Sequence, residues 1–315
     1  MRTAPVIQDL LASPRPLSWG RRSQDNLTIV LFLLPGAALF LVFVIYPILQ
    51  SGYYSLFDWN GFGRAVDFVG LDNYARILTD QVFLKALSHS LVIVALSLTL
   101  QLPMALGLAI LLGRDLPGRP FFRTVFFMPY VLSEVITAIM WLGLLNPDPD
   151  RGFLNALVVL IPGAEAQAWL GDPDKVLMSV FVVLTWKYFG FHMLLFMTGL
   201  QNIPVEFEEA ARIDGANRRQ LLSHVILPLL GSTIRTSAYI SVLGSLQQFI
   251  LVWIMTKGGP VNASEVMSTY MYRFGFVRFW LGYGSAVALV MFLICLTFSL
   301  VYQRLAPQRE HLGGY

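Results

Sequence analysis

The sequence predicts an all-α membrane protein with six transmembrane helices, on three observations. The chain of 315 residues is 56% hydrophobic and only 13% charged, with a mean hydropathy of +0.63, whereas soluble domains carry about 25% charged residues. Six windows approach the ~20 consecutive apolar residues that a helix needs to cross a ~30 Å hydrocarbon core: 27–46, 86–112, 121–145, 177–200, 225–255 and 281–305. The basic residues are scattered without a long run, and the two sides of a six-span frame, with those at the helix ends included, hold 12 against 8. Basic residues concentrate on the cytoplasmic side, so both termini are expected there.

Taken in order, window 27–46 follows Arg21 and Arg22 as a secretory signal would. Its apolar stretch exceeds the ~7–15 residues of a signal core, and no small-residue cleavage pattern closes it, so it reads as a retained helix. The next three windows are near-continuous apolar runs, and 281–305 is another. Window 225–255 is the longest and most polar, as expected of a helix that faces other helices more than lipid. Trp59, Trp141, Trp169, Trp253 and Trp280 fall at or beyond the outer helix ends, the headgroup depth that Trp prefers. Residues 51–85 and 146–176 are outer stretches of about thirty residues with Gly and Pro punctuation, long enough to fold over the mouth and touch a soluble partner. Residues 1–26, with Pro5, Pro14, Pro16 and four arginines, read as a flexible cytoplasmic tail. Residues 27–305 form the transmembrane domain and 306–315 a second cytoplasmic tail.

Several chemistries are excluded. The one cysteine, Cys295, can form neither an intrachain disulfide nor a thiolate cluster. His89, His192, His224 and His311 are far apart and none is in an HExxH spacing, so no metal site is expected. Without a long basic run, nucleic acid is not an expected partner. The lysines Lys85, Lys175, Lys187 and Lys257 follow Leu84, Asp174, Trp186 and Thr256. No Gly-Lys phosphate loop therefore exists, and the chain is not expected to be an enzyme or to bind a cofactor.

The segment between the fourth and fifth windows is polar and yet patterned. Asn202, a capping residue, precedes Pro204, which suits a first helical turn, and a helix is predicted over 204–214. Phe207, Ala210 and Ala211 share one face, Glu208 and Arg212 pair at i, i+4 on another, and Gly215 lets the backbone turn. The result is a compact elbow able to fit a groove on another protein. Periodicity alone suits a hairpin lying on lipid headgroups equally well.

The elbow carries a family resemblance. Glu209-Ala210-Ala211, three residues including Asp214, Gly215, nine residues, Val225, one residue and Leu227-Pro228 resemble the EAA loop of ABC importer membrane subunits, with Val225 standing where that pattern has Ile. Residues 68–74 (FVGLDNY) and 255–260 (MTKGGP) resemble the carbohydrate-uptake branch, of maltose-importer membrane-subunit type, although Lys257 interrupts the usual glycine run. The resemblance implies the type I ABC importer permease fold in a bacterial or archaeal inner membrane. It implies four kinds of partner: a second similar permease, a pair of cytoplasmic ATPases that bind ATP and magnesium, an extracytoplasmic solute-binding protein, and a sugar. The elbow would be the coupling helix, with Glu209, Ala210, Ala211, Asp214, Gly215, Leu227 and Pro228 as its signature.

Polar side chains inside spans need partners or a wet cavity. On the fifth window Ser237, Ser241, Gly244, Ser245 and Gln248 recur on one helical face. Hydroxyls and amides both donate and accept, as a sugar requires, and small residues also pack helices together. The resemblance places sugar along this face, with Tyr188 and Phe191 on the fourth window. Glu134 and Lys187 lie at similar depth, and a lone charge there costs ~2.5–3.5 kcal/mol on insertion scales. They are expected either to form an ion pair or to line the cavity, and Arg235 to snorkel. The alternatives are an ion-gradient-driven secondary transporter, which would show internal repeats, and an intramembrane enzyme, which would show clustered histidines or paired carboxylates. Neither signal is present.

Overall fold

The computed structural model describes residues 19–113 and 118–305. Most of the expected N-terminal tail, the tail 306–315 and the basic residues Arg2, Arg15, Arg114 and Arg309 lie outside the described residues. The described chain is helical apart from one isolated bridge between Phe57 and Phe68. It divides into two compact units, Met1–Gln50 and Ser51–Tyr315. The first contains a helix that begins at Trp19, ahead of residue 27, and runs to Phe40, followed by a widened turn over Leu41–Ile45.

Among the described residues five helices are long and apolar enough to cross a membrane: Thr28–Tyr54, Gln81–Leu111, Val176–Gln201, Gly231–Met255 and Leu281–Leu305. The window 121–145, expected as one helix, is a broken pair, Arg119–Val131 and Glu134–Leu144, bent by 98°. Pro129 lies near the end of the first piece, Leu132 is extended, and Ser133 caps the second piece by accepting the Ile136 N–H at 3.2 Å. Proline withdraws an N–H and crowds the carbonyl four residues back, and Ser133 offers a fresh helix start.

The same proline physics widens three other turns. Leu41–Ile45, Ser97–Gln101 and Leu222–Ile226 are π-helical, and Pro47, Pro103 and Pro228 stand two residues past each. In every case the carbonyl four residues before the proline falls at the middle of the widened turn. The extra residue relieves the clash, and the next N–H reaches back five positions, as from Leu102 to the Ser97 carbonyl. The π-turn at Arg273–Val277 has no proline after it.

The fourth span is the most deeply buried. Val180, Val183 and Leu184 enter one apolar cluster with Ile93, Ala138, Leu251 and Val252, and Met193, Phe196 and Met197 enter another with Leu102, Ala105, Ala109 and Leu230. Lipid is as apolar as leucine, so close packing rather than water exclusion joins such helices, and small residues allow it. At Gly190 a Cβ would run into the Phe126 carbonyl, and at Gly199 into Thr233 and Leu230.

Polar side chains tie down the loops at the end opposite the elbow. Asn73, in the FVGLDNY segment, donates to the carbonyls of Ser55 (2.9 Å) and Phe57 (3.1 Å). Asp80 caps the second span through Val82 and Phe83 N–H and accepts from the Tyr270 hydroxyl at 2.8 Å. Lys257 adopts the left-handed conformation (φ 51°) that a glycine would take in its place, and its carbonyl accepts from Arg273 Nη2 at 2.5 Å. At Gly258 a Cβ would meet Glu265 and Arg273. Glu265 is fully buried with Oε2 2.5 Å from Arg273 Nη2. Burial raises its carboxyl pKa and Arg273 opposes that rise.

In the second such loop, buried Asn155 donates to the carbonyls of Asn146, Pro147 and Gln167. It also accepts from Gln167 N–H at 2.9 Å and Trp169 Nε1 at 3.2 Å. Asn155→Ala strands these groups and is expected to destabilise the loop by about 2 kcal/mol. Faster proteolytic cleavage within 146–176, with the spans left intact, is the measurement that checks it.

Candidate functional site

The elbow forms as a helix over Val205–Ile213. Asn202 ends the fourth span instead of capping the elbow, and Pro204 stands at the cap position in an extended conformation rather than in the first turn. Glu206 and Glu208 lie in the first turn and Arg212 in the last, each placed favourably on the helix dipole. The helix closes by a Schellman arrangement, in which Gly215 N–H reaches the Arg212 carbonyl (3.1 Å) and Ala216 N–H the Ala211 carbonyl (2.9 Å). Gly215 has φ +83° with open space around it, so backbone conformation and not crowding demands the glycine. Asn217 and Gln220 then form a reciprocal cap on the short helix Arg218–Leu221.

The two faces of the elbow differ. Glu208 and Arg212 turn inward, onto a cleft of about 1370 Å³ that Arg218, Met197 and Leu221 also line. Outward, Glu209, Ala210, Asp214 and Gly215 are exposed, and Ile213 is 86% exposed. Leu227 and Pro228 follow the π-turn at Leu222–Ile226, where the chain re-enters the helix bundle.

Among the spans lies a cavity of about 640 Å³. Ser241, Gly244, Ser245 and Gln248 of the fifth span line it, with Tyr188 and Phe191 of the fourth. These are the expected cavity residues apart from Glu134. The helical register assumed for the stripe fails at its far end, because the helix stops at Leu246 and resumes at Ile250. Gln248 sits in that break, where its carbonyl accepts from Ser268 Oγ. Its amide Nε2 is buried without a hydrogen-bond partner among the described residues. Ser237 leaves the stripe altogether, buried against His192 Nδ1 at 2.8 Å.

Apolar Ile93, Leu184 and Ile240 also line the cavity, and four further polar or aromatic residues join them: Ser97, Gln101, Tyr130 and His192. Ser97 and Gln101 bound the π-turn before Pro103, and Ser245 Oγ donates to Ser97 Oγ at 3.2 Å. A polar pair at i, i+4, the second member two residues ahead of a proline, is the signal that marks them in the sequence. Tyr130 stacks on Phe191 with centroids 4.9 Å apart, and no sequence signal places it there.

Glu134 and Lys187 do not form the expected ion pair. Lys187 is buried, and its ammonium donates to the carbonyls of Pro129 (3.2 Å), Tyr130 (3.2 Å) and Leu132 at the broken third span. Glu134 accepts from the Tyr188 hydroxyl at 2.6 Å. Both line an adjoining recess of about 820 Å³ with Tyr130 and Tyr188, so Glu134 adjoins the cavity through Tyr188 and does not line it. Arg235 lies on the fifth span, where its carbonyl accepts from the Tyr302 hydroxyl at 2.8 Å. Ser237→Ala removes the buried partner of His192 and is expected to cost about 1–2 kcal/mol, read as a lowered unfolding midpoint of the purified protein.

Residues 101–311 match the family described as binding-protein-dependent transport system inner membrane component. The chain is 36% identical to a probable ABC transporter permease protein, YurN, of Bacillus subtilis, over 90% of this chain and 97% of that one. It is 30% identical to the diacetylchitobiose uptake system permease protein NgcF of Streptomyces coelicolor, over 94% and 89%. A crystal structure of a bacterial ABC transporter involved in alginate import contains a chain of the same fold, with a TM-score of 0.76, 24% identity and coverage of 91% and 99%. These similarities exclude the secondary-transporter alternative and give the fold of an ABC importer permease. The chain belongs to the inner membrane components of binding-protein-dependent transport systems, and is a multi-pass membrane protein of that family.

Proposed function

We propose that this chain forms half of the translocation pathway of an ATP-driven sugar importer in a bacterial or archaeal inner membrane, with both termini cytoplasmic. The observation that carries the reading is the cavity wall. Hydroxyls of Ser97, Ser241 and Ser245 and the buried amide of Gln248 surround it, beside the stacked rings of Tyr130 and Phe191. Such groups donate and accept, which matches sugar hydroxyls, and an unpaired buried amide gains most from a ligand that satisfies it. The names of two relatives agree in kind: diacetylchitobiose for the Streptomyces protein, multiple sugars for a Streptococcus mutans permease 30% identical to this chain.

A second similar permease supplies the other half, and a solute-binding protein delivers the sugar to the loops opposite the elbow. A pair of ATPases holds ATP and magnesium and receives the outward face of the elbow. Nucleotide-driven closure of the ATPases moves the elbows and rocks the permeases, so that the cavity opens first to one side and then to the other.

Two experiments in proteoliposomes carrying the complete complex test this. Gly215→Val forces a β-branched residue to φ +83°, which costs on the order of 1–2 kcal/mol and distorts the elbow end. Uptake is expected to fall by about tenfold while ATP hydrolysis continues; undiminished uptake removes the coupling role. At Gly244 an added Cβ meets nothing within 4 Å, and Gly244 lines the cavity, so Gly244→Leu puts an apolar side chain at the passage wall. Loss of uptake at an unchanged unfolding midpoint is the expected result, and normal uptake places the sugar elsewhere.

A further inference from the structure

We propose that Lys187 is a positioning residue of the passage: its ammonium holds the third span broken and so sets Tyr130 and Glu134 against the cavity. The inference rests on the sugar-passage reading and adds to it a residue that does not touch the sugar.

The break leaves the carbonyls of the last turn of Arg119–Val131 without helical partners. At membrane depth freed carbonyls must find a side chain or the water of a cavity, and here a side chain reaches them. An ammonium has three donors, and Lys187 places all three on the carbonyls of Pro129, Tyr130 and Leu132. The rings of Tyr130 and Tyr188 stand 5.9 and 6.0 Å from the same ammonium, within cation–π range. Gly190 supports the contact from one turn along, where the Phe126 carbonyl leaves no room for a Cβ.

What Lys187 holds is the cavity wall. One of the three carbonyls belongs to Tyr130, whose ring stacks on Phe191 at 4.9 Å and lines the cavity. The helix that restarts after Leu132 begins with Glu134, which accepts from Tyr188 at 2.6 Å. Without the ammonium the freed carbonyls must recover partners by reshaping the break, and Tyr130 and Glu134 move with it.

The test is a double-mutant cycle in proteoliposomes holding this chain, its partner permease, the ATPases and the binding protein, with labelled sugar. Lys187→Met and Tyr130→Ala are each expected to lower initial uptake by about tenfold, with binding-protein-stimulated ATP hydrolysis kept within about twofold. The double variant is expected to be no worse than either single one, since both act on one wall. Lys187→Arg, which returns N–H donors, is expected to restore at least about half of the uptake. Multiplied losses in the double variant, or wild-type uptake by Lys187→Met, overturn the proposal. If Lys187→Met does not assemble, Lys187→Gln takes its place in the cycle, and failure of that variant to assemble makes Lys187 a folding requirement and equally overturns the proposal. Wild-type uptake by Gly244→Leu and Gln248→Ala strikes the sugar passage itself. Their loss beside an unaffected Lys187→Met strikes only the role of Lys187.

Discussion

A backbone carbonyl freed by a broken helix within a bilayer needs another donor, and that constraint organises the part of this protein where solute would pass. Breaking the third span frees carbonyls at membrane depth, and Lys187 answers them from the neighbouring span. A buried ammonium is unfavourable alone and so is a group of orphaned carbonyls; together they satisfy each other. Glu134 lines the same recess and accepts from Tyr188. Two charges that a one-dimensional reading pairs directly thus take different hydrogen-bond partners.

Proline acts elsewhere in the bundle by the same logic at smaller scale. Pro103 widens the turn that carries Ser97 and Gln101, and both residues line the cavity. A regular helix of that sequence would present a different face to the fifth span. Pro228 widens the turn by which the elbow rejoins the bundle. One residue type, placed two positions past each widened turn, therefore shapes both the cavity and its connection to the elbow.

The elbow itself is locally determined. Its dipole-matched charges, its Schellman end at Gly215 and the reciprocal cap of Asn217 and Gln220 are interactions between residues a few positions apart. An element built in this way holds its shape without help from the bundle. Its inward side presents Glu208 and Arg212 to the cleft, and its outward side exposes Ile213 beside Glu209 and Asp214.

The sequence by itself determined the helical class, the apolar spans, the elbow and the fifth-span residues Ser241, Gly244 and Ser245 that face the cavity, because hydropathy, helical period and capping act over short separations. The elbow helix falls within one residue of its expected ends, and the sixth span matches its window. Tertiary structure alone decided that the third window breaks, that Lys187 serves carbonyls more than fifty positions away, that Gln248 leaves the helical register, and that Tyr130 and His192 join the wall. Each of these depends on which backbone groups lack partners and which distant side chain can reach them. That balance exists only once the spans are packed, since a hydrogen-bond deficit at one helix has no trace in the period or composition of another.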